Sequence, residues 1–376
     1  MADTFYFSRD TKVHLTDSAS AVYNIPVLDG FSFSQATNTT EVTLNEMATA
    51  AGVSRRARQM FTDSYAPAEW SFSTYIRPFT SGGGDASGEH GAAHSHVVEE
   101  ALWNALAGSG AIGASGAGFT TADANGADLA FTNSNKTTLD TFTLTFEMGS
   151  GKTNPTIYQI TDCVVNEVSL DFDIDGIATA NWSGFGQIIT EASSMPTATI
   201  TEGTAAADTN NFIRNRLTDL AVTATAVGDI QTAYSLTLTG GNITIGNNIS
   251  FLTPETLGIV NQPLGHVTGT RNVAGNFTCY LNTPSSGASS ADLFEDIIES
   301  TSVVTNDFNL VFVVGGTVAH TAGGPSFKIT LPTCHLEVPT HSIDDIVSLE
   351  TTFHALPTSV DGTDEVTMEF VGPTVT

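Results

Sequence analysis

One acidic stretch of the chain has the spacing of a calcium-binding loop. It reads Asp171-Phe-Asp-Ile-Asp-Gly176, with Asp at positions one, three and five and Gly at position six. The twelfth position of such a loop normally supplies a bidentate Glu, and here it is Trp182. The spacing therefore allows a calcium site but lacks its strongest ligand.

The same stretch also alternates as a β-strand would. Its apolar and acidic members point to opposite faces: Val168, Leu170, Phe172 and Ile174 against Glu167, Asp171, Asp173 and Asp175. Carboxylates on one strand face repel each other, so this face must be solvated or paired. We favour a solvated strand, and a calcium site and a surface for a basic partner are the alternatives.

A second stretch resembles the end of a phosphate-binding loop, Met148-Gly-Ser-Gly-Lys-Thr153. The first glycine of such a loop would stand five positions before Gly151, where the chain has Phe146. Asn154 and Pro155 follow, so no helix can begin there and present its N-terminus to a phosphate. We predict a hairpin turn.

Four possible metal ligands lie close together in sequence: Glu89, His90, His94 and His96. They fall in a segment rich in Gly, Ala and Ser that would have to become ordered around the ion. We therefore favour a solvated loop over a metal site. No Ser-His-Asp or Cys-His arrangement is recognisable, and we predict no catalytic residue, no cofactor and no enzymatic activity.

Three arginines within four residues, Arg55, Arg56 and Arg58, hold a quarter of all the basic residues. In a chain this acidic, we expect them to pair with carboxylates. Those carboxylates would lie in the same domain or on a neighbouring subunit.

The composition is that of an acidic, β-rich protein. Only 14% of the 376 residues are charged, whereas Thr, Ser, Asn, Gly and Val are abundant, which is typical of strands and loops. Acids outnumber bases 40 to 12, so the net charge of −28 should repel DNA and anionic membranes. An acidity that only keeps the protein soluble is the alternative. We expect no secretory signal and no membrane-spanning helix.

Four sequence marks occur twice in the same order, which indicates a duplicated domain. The matching pairs are Tyr23–Gly30 with Tyr234–Gly241, Phe72–Tyr75 with Phe277–Tyr280, Ile160–Cys163 with Leu331–Cys334, and Ile174–Ile177 with Ile343–Ile346. Cys163 and Cys334 thus hold equivalent positions, and we expect two buried thiols in two separate cores rather than a disulfide.

Each half should contain one short amphipathic helix among its strands. We predict the first from Val97 to the stop at Gly108, and the second around Leu293–Ile298 with a cap made by Ser289 and Asp292. Residues 141–148 and 308–314 should be matching strands. We expect a long surface loop over 107–126 and a connection between the two domains over 191–211. We expect a C-terminal arm over 368–376 that is either a pairing strand or disordered.

A long motif near the start of the chain reads Gly30-Phe-Ser-Phe-Ser-Gln-Ala-Thr-Asn-Thr-Thr-Glu-Val-Thr-Leu-Asn-Glu46 and continues through Arg55 and Arg56 to Ala66-Pro-Ala-Glu-Trp-Ser-Phe-Ser-Thr-Tyr75. With this motif, the first 80 or so residues resemble the tail tube proteins of long-tailed bacteriophages. This resemblance implies a β-sandwich with a flanking helix, whose inner strands join those of neighbouring subunits into a closed barrel around a channel. Most of the family uses six single-domain subunits per ring, and a duplicated chain would need three.

Together these observations predict a mainly β chain with two tandem sandwich-like or barrel-like domains, 1–195 and 212–376. Its predicted role is a virion tail tube built from stacked homotrimeric rings, with an acidic channel for double-stranded DNA. The predicted channel-lining residues are Glu167, Asp171, Asp173, Asp175 and Glu337, and the predicted inter-subunit residues are Arg55, Arg56 and Arg58. Expected partners are tape measure, tail tip and terminator proteins, and no membrane insertion is expected. A distal tail adaptor and a calcium-stabilised surface or adhesin protein are the alternatives.

Overall fold

The chain folds almost entirely into antiparallel strands, which confirms the predicted mainly β class. The computed structural model describes residues 5–42, 59–81, 95–108, 112, 119–123, 126–131, 139–199, 208–224, 233–252, 263–283, 287–299, 308–315 and 324–375. Two short α-helices lie among these residues, α1 (Glu100–Ala107) and α2 (Ser290–Glu299). No helix in the described ranges is both long enough and apolar enough to cross a membrane.

Twelve described strands precede residue 195 and twelve follow residue 212. The strands of this first half are β1 (Thr11–Thr16), β2 (Val22–Ile25), β3 (Ser32–Glu41), β4 (Met60–Tyr75), β5 (Pro78–Ser81), β6 (Ser95–Val97), β7 (Phe119–Asp123), β8 (Gly126–Ala130), β9 (Phe142–Met148), β10 (Thr156–Phe172), β11 (Thr179–Gly186) and β12 (Ile189–Glu191). Those of the second half are β13 (Asp219–Ala224), β14 (Ala233–Ser235), β15 (Leu238–Gly246), β16 (Ile249–Leu252), β17 (Gly265–Thr268), β18 (Asn272–Tyr280), β19 (Phe308–Val314), β20 (Ser326–Leu336), β21 (Thr340–Ile343), β22 (Val347–Leu356), β23 (Thr367–Val371) and β24 (Thr374–Val375).

One antiparallel sheet, here called the long sheet, runs through both halves without a break. Its first seven strands are ordered β3-β4-β11-β10-β15-β18-β22. The eighth position is filled by the end of β20 and by β21, which both pair with β22. The two halves meet where β10 pairs with β15, with Leu170 opposite Ile243. Each half thus contributes four strands to one surface.

Two further sheets cover the apolar side of the long sheet. The first has the order β2-β1-β9-β10-β12. The second has the order β14-β13-β19-β20-β23-β8-β7, so two of its strands come from the first half. β10 and β20 each begin in a covering sheet and end in the long sheet, which ties the layers together.

The expectation of two separate cores is wrong, because most of the described buried apolar side chains form one cluster that includes residues of both halves. Phe172 of β10 stacks on Phe312 of β19, with ring centroids 5.5 Å apart. Trp103 of α1 lies 5.5 Å from Phe370 of β23. The junction between the halves is therefore apolar, and aromatic residues of each half are buried against those of the other.

β10 and β20 bend at matching places, beside the two repeated cysteines. The cross-strand pairs around each bulge are Leu144–Ile160 and Phe142–Cys163 in the first half, and Leu310–Leu331 and Phe308–Cys334 in the second. Both thiols are buried and unbridged, as predicted, and each donates to the carbonyl oxygen three residues earlier, at 3.3 Å for Cys163 and 3.8 Å for Cys334. Burial raises the pKa of both thiols, that of Cys334 to about 12.

The second helix matches its prediction and the first begins later than expected. Ser289 and Asp292 form a reciprocal cap, in which the Ser289 backbone N–H donates to Asp292 Oδ2 at 2.6 Å and the Asp292 N–H donates to Ser289 Oγ at 3.2 Å. α1 ends before Gly108 as predicted, but Val97 belongs to β6, which pairs with β5. Strand pairing therefore delays the helix by three residues.

The predicted long surface loop over 107–126 is wrong in part, because β7 lies within it and pairs with β8. Phe119 is fully buried there, packed against Phe370. The C-terminal arm is a pairing strand rather than disordered: β23 adds to β20 and β24 pairs in parallel with β5. Residues 149–155 form the predicted hairpin turn between β9 and β10.

Candidate functional site: the polar face of the long sheet

The long sheet has one apolar and one polar face, set by simple alternation along its strands. Large aromatic side chains such as Trp70, Trp182 and Phe277 fill the core side and are almost fully buried. The opposite side, here called the polar face, presents small hydroxyl and amide groups in every strand from β3 to β22. Its members include Ser32, Ser71, Ser73, Asn181, Ser169, Asp171, Asn242, Thr244, Asn276, Thr278 and Thr352.

Hydrogen bonds link these side chains across the strands. Asp171 of β10 accepts from Asn181 Nδ2 at 3.0 Å and from Asn242 Nδ2 at 2.6 Å, so its carboxylate joins β11 on one side to β15 on the other. Ser73 Oγ donates to Asn181 Oδ1 at 2.7 Å, and Asn276 Nδ2 donates to Glu350 Oε1 at 3.1 Å. The network crosses the junction of the two halves and fixes the side chains of an otherwise exposed surface.

The predicted acidic residues lie on or beside this face. Glu167 and Asp171 are exposed members of β10, and Asp173 and Asp175 are exposed in the turn that follows. The strand ends at Phe172, so the predicted alternation stops there. Ile174 was expected to face the core, and that is wrong, because 47% of its surface is exposed.

Glu337 lies at the corresponding place in the second half, beyond the end of β20. Its side chain is more than half exposed, and its Oε1 lies 3.8 Å from Nε2 of His354 on β22. The Glu337 N–H donates to the Thr352 carbonyl, which keeps this residue in the long sheet.

Comparison with known proteins identifies the family to which the chain belongs. Residues 62–262, more than half of the chain, match the model of a family described as phage tail tube protein. The chain belongs to the phage tail tube proteins. It is also 31% identical, over 345 residues, to tail tube protein pb6 of Escherichia phage T5, an alignment that covers 91% of this chain and 69% of pb6.

Membership of the tail tube family makes this chain a structural component of the virion tail. The matched region contains β10 and β11 and ends between β16 and β17, so it includes the junction of the two halves. The resemblance seen in the first 80 residues is thereby confirmed and extended. The tail tube role is favoured over the distal adaptor and the adhesin protein.

Sequence reasoning missed two further acids of the tail tube protein's polar face. Glu69 of β4 and Glu350 of β22 are exposed and alternate with buried neighbours. The period of two in both strands was a sufficient signal for them. In the described strand residues of the long sheet this face carries no lysine or arginine.

The remaining predicted sites have different outcomes. Arg55, Arg56 and Arg58 lie outside the described residues, as do Glu89, His90 and His94. His96 belongs to β6 and is buried rather than in a solvated loop; its Nδ1 lies 2.8 Å from Glu100 Oε2. No group of three His, Cys, Asp or Glu side chains among the described residues is placed to hold a metal ion.

Proposed function

We propose that three copies of this tail tube protein close into a ring whose inner wall is the long sheet. The observation that carries the proposal is that the two edge strands of the long sheet are unpaired on their outer sides. In the described part of the chain, β3 pairs only with β4 and β21 only with β22, so each has an unpaired outer edge. All four residues of β21 are exposed. Unpaired edges attract further strands, and closing a barrel removes them.

The pairing of β10 with β15, which joins the two halves within one chain, provides a model for the strand pairing between neighbouring chains. β10 pairs with β15 over six residues, from Glu167 opposite Gly246 to Phe172 opposite Gly241. In the order of strands, β21 is the counterpart of the end of β10, and β3 is the counterpart of β15. β21 of one copy and β3 of the next would therefore pair in the same antiparallel way.

Threefold symmetry follows from the duplication. We take 1–195 and 212–376 as the two units, supported by their equal number of described strands and their matching bulges at Cys163 and Cys334. Each copy then supplies two sectors of four strands, and three copies supply six sectors and twenty-four strands in all. A barrel of this size encloses a wide aqueous channel, since barrel diameter grows with strand number.

The polar face would line that channel, with Glu69, Glu167, Asp171, Glu337 and Glu350 on its wall. Asp173 and Asp175 would lie at its rim. Because double-stranded DNA is a dense polyanion, a wall with carboxylates and no lysine or arginine in its described strands repels it and lets it pass without specific binding. The tube would assemble on a tape measure protein between tail tip and terminator proteins, without membrane insertion.

Native mass spectrometry and electron cryomicroscopy of assembled tubes test this proposal. We expect three chains per ring, β21 paired with β3 of the next copy, and the polar face turned to the lumen. Rings of six chains would contradict the trimer. A polar face on the outer surface of the tube would contradict the channel assignment.

A further inference from the structure

The two ends of the long sheet's strands carry different structures. At one end, here called the turn end, short connections join β10 to β11 and β21 to β22. At the other, here called the hairpin end, the chain continues from β3 to β4 and from β16 to β17. The antiparallel registers place both turns at one end of the strands. They place the β3–β4 and β16–β17 connections at the opposite end.

The turn end exposes isoleucines in both halves. These are the repeated marks of the sequence, and their exposed fractions are Ile174 47%, Ile177 38%, Ile343 80% and Ile346 60%. Each pair flanks acids, Asp175 in the first turn, and Asp344 and Asp345 in the second. The first turn is less exposed because the segment around Asn215 lies against it, with the Asn215 N–H donating to the Gly176 carbonyl.

The hairpin end also exposes apolar side chains in both halves. The first hairpin exposes Val42 37%, Met60 56% and Phe61 54%, and the second exposes Leu252 52%, Leu264 53% and Val267 49%. The inward side of the second hairpin is already packed on the first half, through Ile249 against Val164 and Phe251 against Phe185. The exposed side therefore has no role in that packing.

We propose that the turn end of one copy docks on the hairpin end of another copy in the next ring. This inference rests on the proposed ring: lateral edges close each ring, so the two ends of the sheet are the surfaces that meet along the tube. A contact between two different surfaces repeats indefinitely, as a tube requires. Both surfaces expose apolar side chains in each half of the chain, so each sector of the ring would contribute one such contact.

The test replaces Ile174→Ser together with Ile346→Ser in the full chain, because both isoleucines are exposed at the turn end and neither belongs to the proposed ring-closing strands β3 and β21. The variant is produced with the remaining tail proteins so that any initiating factor is present. We expect trimeric rings in native mass spectrometry but at least roughly tenfold fewer rings stacked into tubes in electron micrographs, since each ring repeats the lost apolar contact three times. Ile174→Val with Ile346→Val keeps an apolar surface and should stack normally. Ile298→Ser removes a comparably exposed isoleucine from α2 and should also stack normally.

The outcomes separate this inference from the proposed ring. Tubes of normal length from the double Ser variant would overturn the stacking contact and leave the ring intact. Monomers from that variant alone would assign the isoleucines to ring closure and would also overturn it. If the unaltered chain makes no three-chain ring, the proposed function itself fails.

Discussion

At the scale of single residues, each half pairs a large aromatic residue with a glycine across two strands, and the two halves place them on opposite strands. In the first half, Trp70 of β4 lies opposite Gly184 of β11, and in the second half Gly275 of β18 lies opposite Phe353 of β22. A Cβ at Gly184 would lie 2.4 Å from the Trp70 ring, and one at Gly275 would lie 2.6 Å from the Phe353 ring. A bulky aromatic residue thus faces a glycine in each half, on exchanged strands, because the core has a fixed volume there.

Gly184→Ala should therefore lower the free energy of unfolding by about 1–3 kcal/mol, because the new methyl group also lies 2.1 Å from the Val164 carbonyl oxygen and the backbone must shift. Urea denaturation of the unassembled chain measures this loss. Gly324→Ala is the matched control, since a Cβ there meets nothing within 4 Å and should change the free energy by at most about 0.5 kcal/mol. Equal urea midpoints for the two variants would show that the close packing at Gly184 does not make an added methyl group destabilising.

The acids of the polar face permit a second test at the residue scale. Asp171→Lys with Asp173→Lys should preserve the tube, since both side chains are exposed, although Asp171 gives up hydrogen bonds from Asn181 and Asn242. The new ammonium groups would attract phosphates and slow DNA ejection, most strongly at low salt. Ejection kinetics at two salt concentrations measure the effect.

The neutral pair Asp171→Asn with Asp173→Asn controls for lost carboxylates without added positive charge. It should slow ejection far less than the lysine pair. Unchanged ejection by the lysine pair at low salt would remove these residues from the channel wall.

At the scale of elements, the second hairpin, β16 with β17, is held against the first half by specific polar contacts. Asn247 Nδ2 donates to the Leu106 carbonyl at 3.0 Å, and Asn166 Oδ1 accepts from the Ile249 N–H at 2.8 Å. His266 belongs to β17 itself, and its ring centroid lies 5.9 Å from that of Phe251 on β16. Burial lowers the pKa of His266, and the Asp162 carboxylate partly opposes that shift.

This hairpin should loosen in acid. Because the folded pKa of His266 lies below its unfolded value of 6.5, its contribution to stability is full above about pH 6.5 and is lost as the pH falls through the folded value. Hydrogen exchange of β16 and β17 should therefore become several-fold faster at pH 5 than at pH 7, after correction for intrinsic rates. His266→Phe should abolish that acceleration.

His354 provides the control for this effect, because its side chain is 46% exposed. His354→Phe should leave the acid-induced exchange of β16 and β17 unchanged. Persistence of the acceleration in His266→Phe would mean that another group drives the opening.

At the scale of the whole molecule, the two halves are interlocked rather than joined by a simple linker. β8 of the first half pairs with β23 of the second, and β24 pairs with β5. Gly372 lies directly against Pro78, where an added Cβ would be 2.2 Å from the Pro78 backbone. The two sectors of the proposed ring that belong to one chain are thus fixed before assembly, and the contacts between chains are left to the sheet edges and ends.

The arginine cluster should act in assembly at this scale. Arg55→Glu with Arg56→Glu should block polymerisation while the circular dichroism of the chain stays unchanged. A broken interfacial charge pair costs several kcal/mol when buried, against at most about 1 kcal/mol when exposed. Tube yield in electron micrographs measures the effect.

Arg55→Lys with Arg56→Lys keeps the positive charge and should retain most of the assembly. Normal tubes from the Glu variant would show that the cluster only contacts solvent.

The sequence by itself determined the strand class, the repeat, the caps of α2, the turn at Gly149–Gly151 and the resemblance to tail tube proteins. These features depend on local alternation, turn chemistry and ordered marks, which neighbouring residues define. Only the tertiary structure decided that Ile174 is exposed, that His96 is buried, that Phe119 lies in a strand, and that the halves share one core. Each of these depends on partners far away in sequence, such as β23 beside β8 or β15 beside β10, and an alternating pattern does not specify which strand will pair with which.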